Sequence, residues 1–291
     1  MKKEYRKYKT PEDFRRALDE KMRKISNSEG KTINEIMYKI AFDRFLARVF
    51  YKNNKIWVLK GGYSLELRFK DISNISRTTT DIDFALKTPS YTSEKQIWDL
   101  LQEIAKCDLT DWFNFTVGAP KKELTMPTYG GWRFPVTSRV GTREFNRFNV
   151  DISIAESFLS APKWEKGNDF LSFAGIKPPK ILIISVEKQF AEKIHAYTNP
   201  QIFNNSRTRD LIDLVIYIDQ GFKSTTKLKK EISLTFKTRD THDVPRLILE
   251  PPTDWEKPYK NLATNWGASK TNLQEAHKYL SNFWKRLYKI N

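Results

Sequence analysis

Apolar residues recur every three or four positions in two stretches near the start of the chain, and this spacing predicts two helices. The first stretch, residues 11–26, opens with a proline and two acids and places Phe14, Leu18 and Met22 on one face. The second stretch, residues 31–50, has the same periodicity. Two amphipathic helices are therefore expected at the start of the fold.

Shorter runs rich in β-branched and aromatic residues follow, and these predict strands. Helical patterns and a polar loop separate them. The predicted strands cover residues 55–62, 80–86, 113–117, 132–140 and 148–155, and the predicted helices begin at residue 63 and cover residues 91–107. A central sheet with flanking helices is the simplest assembly of such a mixture.

The pattern beyond residue 180 is mostly helical. Four helices are predicted over residues 186–198, 206–221, 223–239 and 271–290, and residues 250–261 are interpreted as a proline-rich connector. The pattern leaves an α/β and an α+β core open and predicts two domains. Residues 1–180 hold the N-terminal helices and a central sheet with flanking helices, and residues 181–291 form a helical domain.

Composition and charge narrow the class of protein. The chain has 291 residues, of which 39% are hydrophobic and 13% aromatic, enough for a packed core and too many for a disordered protein. The formal net charge of +16 is spread along the chain. Such a charge suits a polyanionic partner, most simply nucleic acid, although a basic protein without that partner is the alternative.

Cysteine, histidine and hydropathy patterns exclude several kinds of site. The single cysteine, Cys107, cannot form an internal disulfide, and the three histidines are scattered without ligand-like spacing. Metal chemistry would therefore use carboxylates and a hard cation rather than zinc. No stretch approaches 18 uninterrupted apolar residues, so we expect a cytoplasmic protein with no membrane partner.

Two aspartates on one predicted strand are the first candidates for chemistry. Side chains alternate along a strand, so Asp81 and Asp83 share one face while Ile82 and Phe84 point into the core. Two carboxylates on one face repel each other unless a cation lies between them, and Mg²⁺ prefers such oxygen ligands. A later strand offers a third carboxylate, Asp151, and three aspartates could hold two metal ions.

A glycine pair precedes these acids. Gly61 and Gly62 lack a Cβ, so the backbone can turn sharply and approach a phosphate chain, with Ser64 at the start of the next helix as a hydrogen-bond donor. A glycine pair alone is more often only a turn, and paired strand aspartates are often only solvent-facing. The full order of strand, glycine pair, helix, loop, paired acids and third acid is more specific.

That order resembles the DNA polymerase β nucleotidyltransferase superfamily, which implies an α+β fold: a polymerase β-like core with a mixed central sheet and flanking helices, followed by a helical C-terminal domain. Further along, VEKQFAEKIHA (186–196) and SRTRDLIDL (206–214) resemble the lysine motif and the R-x-[K/R]-D-x-x-D motif of the AbiEii-type toxin nucleotidyltransferases, and residues 234–259 resemble that family's C-terminal stretch. The resemblance covers about residues 50–265. Arg209 stands where the family often has lysine, and Ser64 lies two positions beyond the glycines rather than next to them.

The resemblance implies an enzyme that transfers a nucleoside monophosphate from an NTP, releases pyrophosphate and uses Mg²⁺ or Mn²⁺. It implies these roles for the matching residues: metal binding by Asp81, Asp83 and, less regularly in the family, Asp151; phosphate binding by Gly61, Gly62, Ser64, Arg207 and Arg209; charge stabilisation by Lys193 with Arg207; and orientation or proton transfer by Asp210. The resemblance also implies a type IV toxin–antitoxin or abortive-infection toxin against phage, encoded with a winged-helix antitoxin, that modifies the 3′ end of tRNA.

Other interpretations of the same residues exist. Lys193 alone is more often a surface lysine, and Asp210 and Asp213 lie three and four residues after Arg207 and Arg209, a spacing that gives ordinary ion pairs within a helix that Ser206 can cap. A nucleotidyltransferase that modifies small molecules such as antibiotics would share the metal site. A basic RNA-binding protein without enzymatic activity would use the aspartates only structurally.

Overall fold

The computed structural model describes residues 7–51, 54–72, 79–87, 93–123, 131–154, 160–200 and 207–290. The chain divides into two compact units. The first comprises residues 1–68, 78–156 and 163–183, and the second comprises residues 69–77, 157–162 and 184–291. The domain division at residue 180 stays a prediction, because compactness does not show that either unit folds alone.

In the described part of the first unit there are four α-helices: α1 (Pro11–Glu29), α2 (Ile33–Val49), α3 (Gly61–Arg68) and α4 (Glu94–Ala105). The two predicted N-terminal helices are confirmed, and each begins at a threonine. The Thr10 hydroxyl accepts a hydrogen bond from the Asp13 amide, and Thr32 forms a capping box with Glu35. These caps satisfy amide groups that the first turn of a helix leaves without a partner.

The described residues of the first unit also form a sheet of eight strands. These are β1 (Trp57–Lys60), β2 (Asp81–Leu86), β3 (Phe113–Val117), β4 (Lys122–Glu123), β5 (Gly131–Val140), β6 (Arg143–Ile154), β7 (Lys163–Lys166) and β8 (Lys180–Ile183). The order is β3-β5-β6-β2-β1-β8-β7, with β4 beside β5. Because β2 pairs with β6 and β1 with β8 in parallel while the other pairs are antiparallel, the sheet is mixed and the α+β prediction is confirmed.

Aromatic side chains of α2 pack on this sheet. Phe42 and Phe45 are fully buried and lie 5.0 and 5.7 Å, between ring centroids, from Phe148 of β6. Edge-to-face contacts of this kind add to the free energy gained by burying apolar area. The amphipathic pattern of residues 31–50 is thus explained by a helix that lies against the sheet.

A buried ionic cluster ties α2 to the start of β3. Asp111 receives hydrogen bonds from Arg44 Nε at 2.7 Å and from both terminal nitrogens of Arg48, at 3.0 and 2.8 Å. Burial acts to raise the pKa of Asp111, but the charges and hydrogen bonds of the two arginines outweigh it and hold that pKa below its usual value. The carboxylate is therefore ionised and fully paired.

The second unit is helical over its C-terminal part, with α5 (Val186–Thr198), α6 (Thr208–Asp219), α7 (Thr226–Arg239), α8 (Glu256–Trp266) and α9 (Leu273–Tyr288). The connector prediction for residues 250–261 is wrong, because α8 begins inside it. Pro258 lies in the first turn of α8. Backbone N–H groups there have no partner within the helix, so the N–H that proline lacks costs no hydrogen bond. The predicted cap Ser206 lies outside the described residues. No described helix is long and apolar enough to cross a membrane.

Removal of the Asp111 carboxylate tests the ionic cluster. We expect Asp111→Ala to lower the free energy of unfolding by about 3–5 kcal/mol, since it leaves two buried guanidinium groups without their counter-charge. Denaturant unfolding gives the measurement. Asp99→Ala is the control, because Asp99 forms only an exposed pair with Lys95 and its loss should cost less than about 0.5 kcal/mol. Equal costs for both variants would contradict this assignment.

Candidate active site

The glycine turn between β1 and α3 brings the backbone against a carboxylate. Gly61 has a φ of +63°, in the left-handed region that favours glycine. A Cβ built on Gly61 would lie 1.9 Å from Oδ2 of Asp83, which is far too close for a side chain. Gly61 is therefore required both for its backbone conformation and for the close approach of Asp83.

Four charged residues lie side by side across the sheet. In the strand register, Asp83 of β2 pairs with Lys60 of β1 on one side and with Asp151 of β6 on the other, and Asp151 pairs in turn with Arg133 of β5. Residues paired in this way present their side chains on the same face. The row therefore runs lysine, aspartate, aspartate, arginine, with cations at its ends.

Asp81 lies on the same face, two residues before Asp83. Its Oδ1 accepts a hydrogen bond from Asn149 Nδ2 at 3.0 Å, and its Oδ2 lies 3.6 Å from the nearer terminal nitrogen of Arg133. The side chain of Asp81 is 31% exposed, so its carboxylate is accessible from solvent. The predicted common face of Asp81 and Asp83 is confirmed, and the register places Asp151 on that face as well.

Arg133, like Lys60 and Asn149, is not among the site residues predicted from the sequence. Its Nε and one terminal nitrogen donate to the two oxygens of Asp151 at 2.7 and 2.6 Å. This hydrogen bonding, opposed by burial, raises the pKa of Arg133 above its usual value. The arginine offsets the repulsion among the aspartates, and Asp151 is engaged by it in this structure, so metal binding by Asp151 stays a prediction.

The donor set fits a hard divalent cation. Asp81 and Asp83 offer carboxylate oxygens on one face, and Mg²⁺ is commonly bound by one or two carboxylates together with substrate phosphates. Within the part of the chain that the structure describes, no three His, Cys, Asp or Glu side chains are grouped to hold a metal by themselves. With two carboxylates on one face, Asp81 and Asp83 suit a cation that also takes ligands from a nucleotide.

Ser64 has a structural role in the turn. Its side chain is fully buried, and its hydroxyl donates a hydrogen bond to the Gly61 carbonyl at 2.9 Å. Gly62 is also buried, within the first turn of α3. Ser64 could therefore reach a phosphate only after this hydrogen bond broke, and its predicted phosphate contact stays a prediction.

The predicted C-terminal residues form an ionic cluster within the second unit. Lys193 of α5 lies 2.6 Å from Asp213 and 3.2 Å from Asp210, both on α6. Asp210 also pairs with Arg207 at 2.9 Å, so the ion pair predicted for that spacing is present. Lys193 is buried rather than a surface lysine, and Asp213 pairs with it across two helices. Arg209 is exposed.

Two histidines that are far apart in sequence are in contact in the second unit. The rings of His195 and His242 lie 4.6 Å apart between centroids, and the Thr241 hydroxyl is 2.9 Å from a nitrogen of each. Burial, with the nearby cations, lowers the pKa of His195 to about 3, so the ring is neutral at pH 7. The sequence had indicated that the three histidines are scattered. In the structure, two of them, His195 and His242, are in contact.

A sequence model of the family "Nucleotidyl transferase AbiEii toxin, Type IV TA system" matches residues 44–280, well over half of the chain. The chain belongs to the AbiEii nucleotidyltransferase toxin family. The resemblance inferred from the motifs is therefore confirmed. Membership makes the protein a nucleotidyltransferase toxin of a type IV toxin–antitoxin system, with a nucleoside triphosphate as substrate and an antitoxin as partner.

None of the curated proteins matches this AbiEii protein in sequence. Among solved structures, the nucleotidyltransferase toxin MenT4 from Mycobacterium tuberculosis H37Rv aligns with a TM-score of 0.44 and 14% identity. The alignment covers 91% of this chain and 98% of that chain, but so low a TM-score carries no weight for fold or function.

The Gly61 contact in this AbiEii protein can be tested by a matched pair of substitutions. We expect Gly30→Ala to cost about 1–2 kcal/mol of unfolding free energy, because Gly30 also has a positive φ but has no atom within 4 Å of a built Cβ. Gly61→Ala should cost about 1–3 kcal/mol more, since Asp83 must be displaced. Denaturant unfolding of both variants measures the difference, and equal costs would show that the contact is not tight.

Truncation of Lys193 tests the ionic cluster of the second unit. Asp213 is fully buried, so Lys193→Ala should lower the free energy of unfolding by about 3–5 kcal/mol by leaving its charge without the lysine. Arg209→Ala, on the same unit but exposed, should change it by less than about 0.5 kcal/mol. An unchanged stability of Lys193→Ala in thermal or denaturant unfolding would refute a structural role for the pair.

Proposed function

We propose that this protein transfers a nucleoside monophosphate from an NTP to an RNA acceptor, most simply the 3′ end of tRNA, and thereby blocks translation. The observation that carries the proposal is the placement of Asp81 and Asp83 on one face of β2, directly beside the Gly61 turn, in a member of a nucleotidyltransferase family. A half-buried pair of carboxylates beside a backbone that approaches them closely suits a phosphate chain and its cation.

Asp81 and Asp83 are the residues proposed to hold Mg²⁺ or Mn²⁺. When bound, the cation supplies charge stabilisation at the phosphates of the NTP. Asn149 orients Asp81 by its hydrogen bond, and Gly61 sets the position of Asp83. Arg133 holds Asp151 and lies near Asp81, which keeps the aspartates together before any cation binds.

The basic residues of the second unit keep their predicted roles in this proposal. Lys193 and Arg207 would stabilise negative charge on phosphate, and Asp210 would orient Lys193 or accept a proton. Asp210 contacts both Lys193 and Arg207, and these contacts support the proposed orienting role of Asp210. Arg209, which is exposed, would contribute charge toward a phosphate.

RNA as the acceptor is supported by charge. The formal net charge of +16 favours association with a polyanion, whereas a small antibiotic would gain little from it. We further propose that the antitoxin is a winged-helix protein encoded nearby, that the system acts in abortive infection against phage, and that the toxin works in the cytoplasm. These proposals follow from the family's biology.

Labelled nucleotide incorporation tests the proposed reaction. Purified protein is incubated with total tRNA, Mg²⁺ and each α-³²P-labelled NTP in turn, and label is followed into RNA. We expect incorporation by the native protein and a loss of at least about 100-fold in Asp83→Ala, because a metal ligand supplies several kcal/mol of stabilisation.

Asp99→Ala is the matched control, since it removes an exposed carboxylate from the same unit and should incorporate label normally. Circular dichroism of both variants establishes that they are folded. Unchanged incorporation by folded Asp83→Ala would refute the enzyme proposal. Label that appears only in a small-molecule acceptor would refute the RNA part alone.

A further inference from the structure

A basic cleft in the first unit lies at the edge of the sheet formed by β7. Four lysines line it, and all four are exposed: Lys55, Lys166, Lys177 and Lys180. Trp164 and Glu165 of β7 also line the cleft, so the net charge of these residues is strongly positive. The volume of the cleft is about 730 Å³, within the range of ligand sites, about 300–1,000 Å³.

Trp164 offers an aromatic surface among these cations. The residue is 37% exposed, which is unusual for so large an apolar side chain, and its ring contacts Phe50 edge to face at 5.8 Å between centroids. Phe50 supports the indole from one side while part of the ring stays open to solvent. Nucleic-acid bases stack on such rings regardless of sequence.

The edge that carries Trp164 is held rigidly. The turn after β7 is bound by buried Asp43 of α2. The Asp43 carboxylate accepts one hydrogen bond from the backbone N–H of Asn168 at 2.6 Å and one from the Asn168 side-chain nitrogen at 3.2 Å. Gly167 donates to the Pro179 carbonyl at 2.8 Å, which joins this turn to the segment before β8. A preformed site loses less conformational entropy when a ligand binds.

We propose that this cleft binds a single-stranded segment of RNA, with a base stacked on Trp164 and backbone phosphates on the surrounding lysines. The inference rests on the proposed function, because it names the surface that holds the acceptor. In strand order, β1 and β8 lie between β2 and β7, which places Trp164 on β7 about 14 Å across the sheet from Asp81 and Asp83. The bound segment is therefore not the reacting end.

A single strand fits better than a duplex or a free nucleotide. An exposed ring can stack only on a base whose face is uncovered, and the bases of a duplex are already stacked. Four lysines along one cleft can neutralise several consecutive phosphates, more than a mononucleotide offers at one point. Together, the ring and the lysines match the base and backbone of an unpaired strand.

Fluorescence anisotropy with a labelled oligouridine tests the stacking contact, without NTP or metal in the buffer. We expect Trp164→Leu to weaken binding at least about 5-fold, because it keeps apolar bulk but removes the ring. Trp164→Tyr should bind within about 2-fold of the native protein, since a smaller ring still stacks. Native-like binding by folded Trp164→Leu, or equal affinity for duplex RNA, would overturn the proposal.

Salt titration tests the lysines in the same assay. Each lysine that neutralises a phosphate of a single strand contributes about 0.7 to the slope of log K against log salt. Lys166→Ala/Lys180→Ala should therefore reduce that slope by about 1.4. Lys24→Ala/Lys106→Ala removes the same charge from exposed positions on α1 and just after α4, and should leave the slope unchanged. Equal slopes in the two double variants would overturn the proposal.

The binding assay and the incorporation assay separate the two claims. Cleft-dependent binding of RNA by a protein that incorporates no label would refute the proposed reaction while it supports the cleft. If the protein incorporates label into RNA normally but its RNA binding does not depend on Trp164 and the cleft lysines, only the proposal that the cleft binds RNA is refuted. Asp83→Ala should bind oligouridine like the native protein, because Asp83 lies outside the cleft.

Discussion

The repulsion among three carboxylates on one face of the sheet is the constraint on which the site depends. Asp83 and Asp151 are paired in register on neighbouring parallel strands, and Asp81 shares their face. Like charges this close are destabilising unless cations or hydrogen bonds compensate them. Here Arg133 binds Asp151 with two hydrogen bonds, Asn149 donates to Asp81, and Lys60 lies opposite Asp83. The protein thus stabilises the arrangement of carboxylates that we propose binds a divalent cation.

The need to accommodate these carboxylates also determines the backbone conformation beside the site. The Gly61 turn leaves room for the Asp83 carboxylate, and Ser64 closes that turn with a hydrogen bond to the Gly61 carbonyl. The second unit uses the same principle, since buried Lys193 is compensated by Asp210 and Asp213. In both units, the residues proposed to act in catalysis also belong to ionic clusters that the fold must satisfy, so their catalytic and structural contributions have to be measured separately.

Local patterns predicted the elements that have a clear periodicity. Helix α5 and strand β3 have the predicted bounds, because an apolar stripe and a strict alternation define them. Strand β7 has neither signal, being polar and at an edge, and it exists through its pairing with β8. Arg133 was missed because only the register of β5 on β6 places it beside Asp151, and the contact between His195 and His242 likewise depends on tertiary structure. The sequence therefore identified the aspartates, whereas the groups that compensate their negative charge could be found only from the pairing of the strands.

We propose that Asp81 and Asp83 form a cation site together with a nucleotide. Electron paramagnetic resonance of Mn²⁺ titrated into the protein with a non-hydrolysable NTP tests this claim directly, without dependence on an acceptor. We predict that the native protein binds Mn²⁺ and that Asp81→Asn/Asp83→Asn does not, while Asp99→Asn/Asp108→Asn, which changes two exposed carboxylates, binds it normally. Equal Mn²⁺ binding by the native protein and folded Asp81→Asn/Asp83→Asn would show that these two carboxylates do not form the cation site.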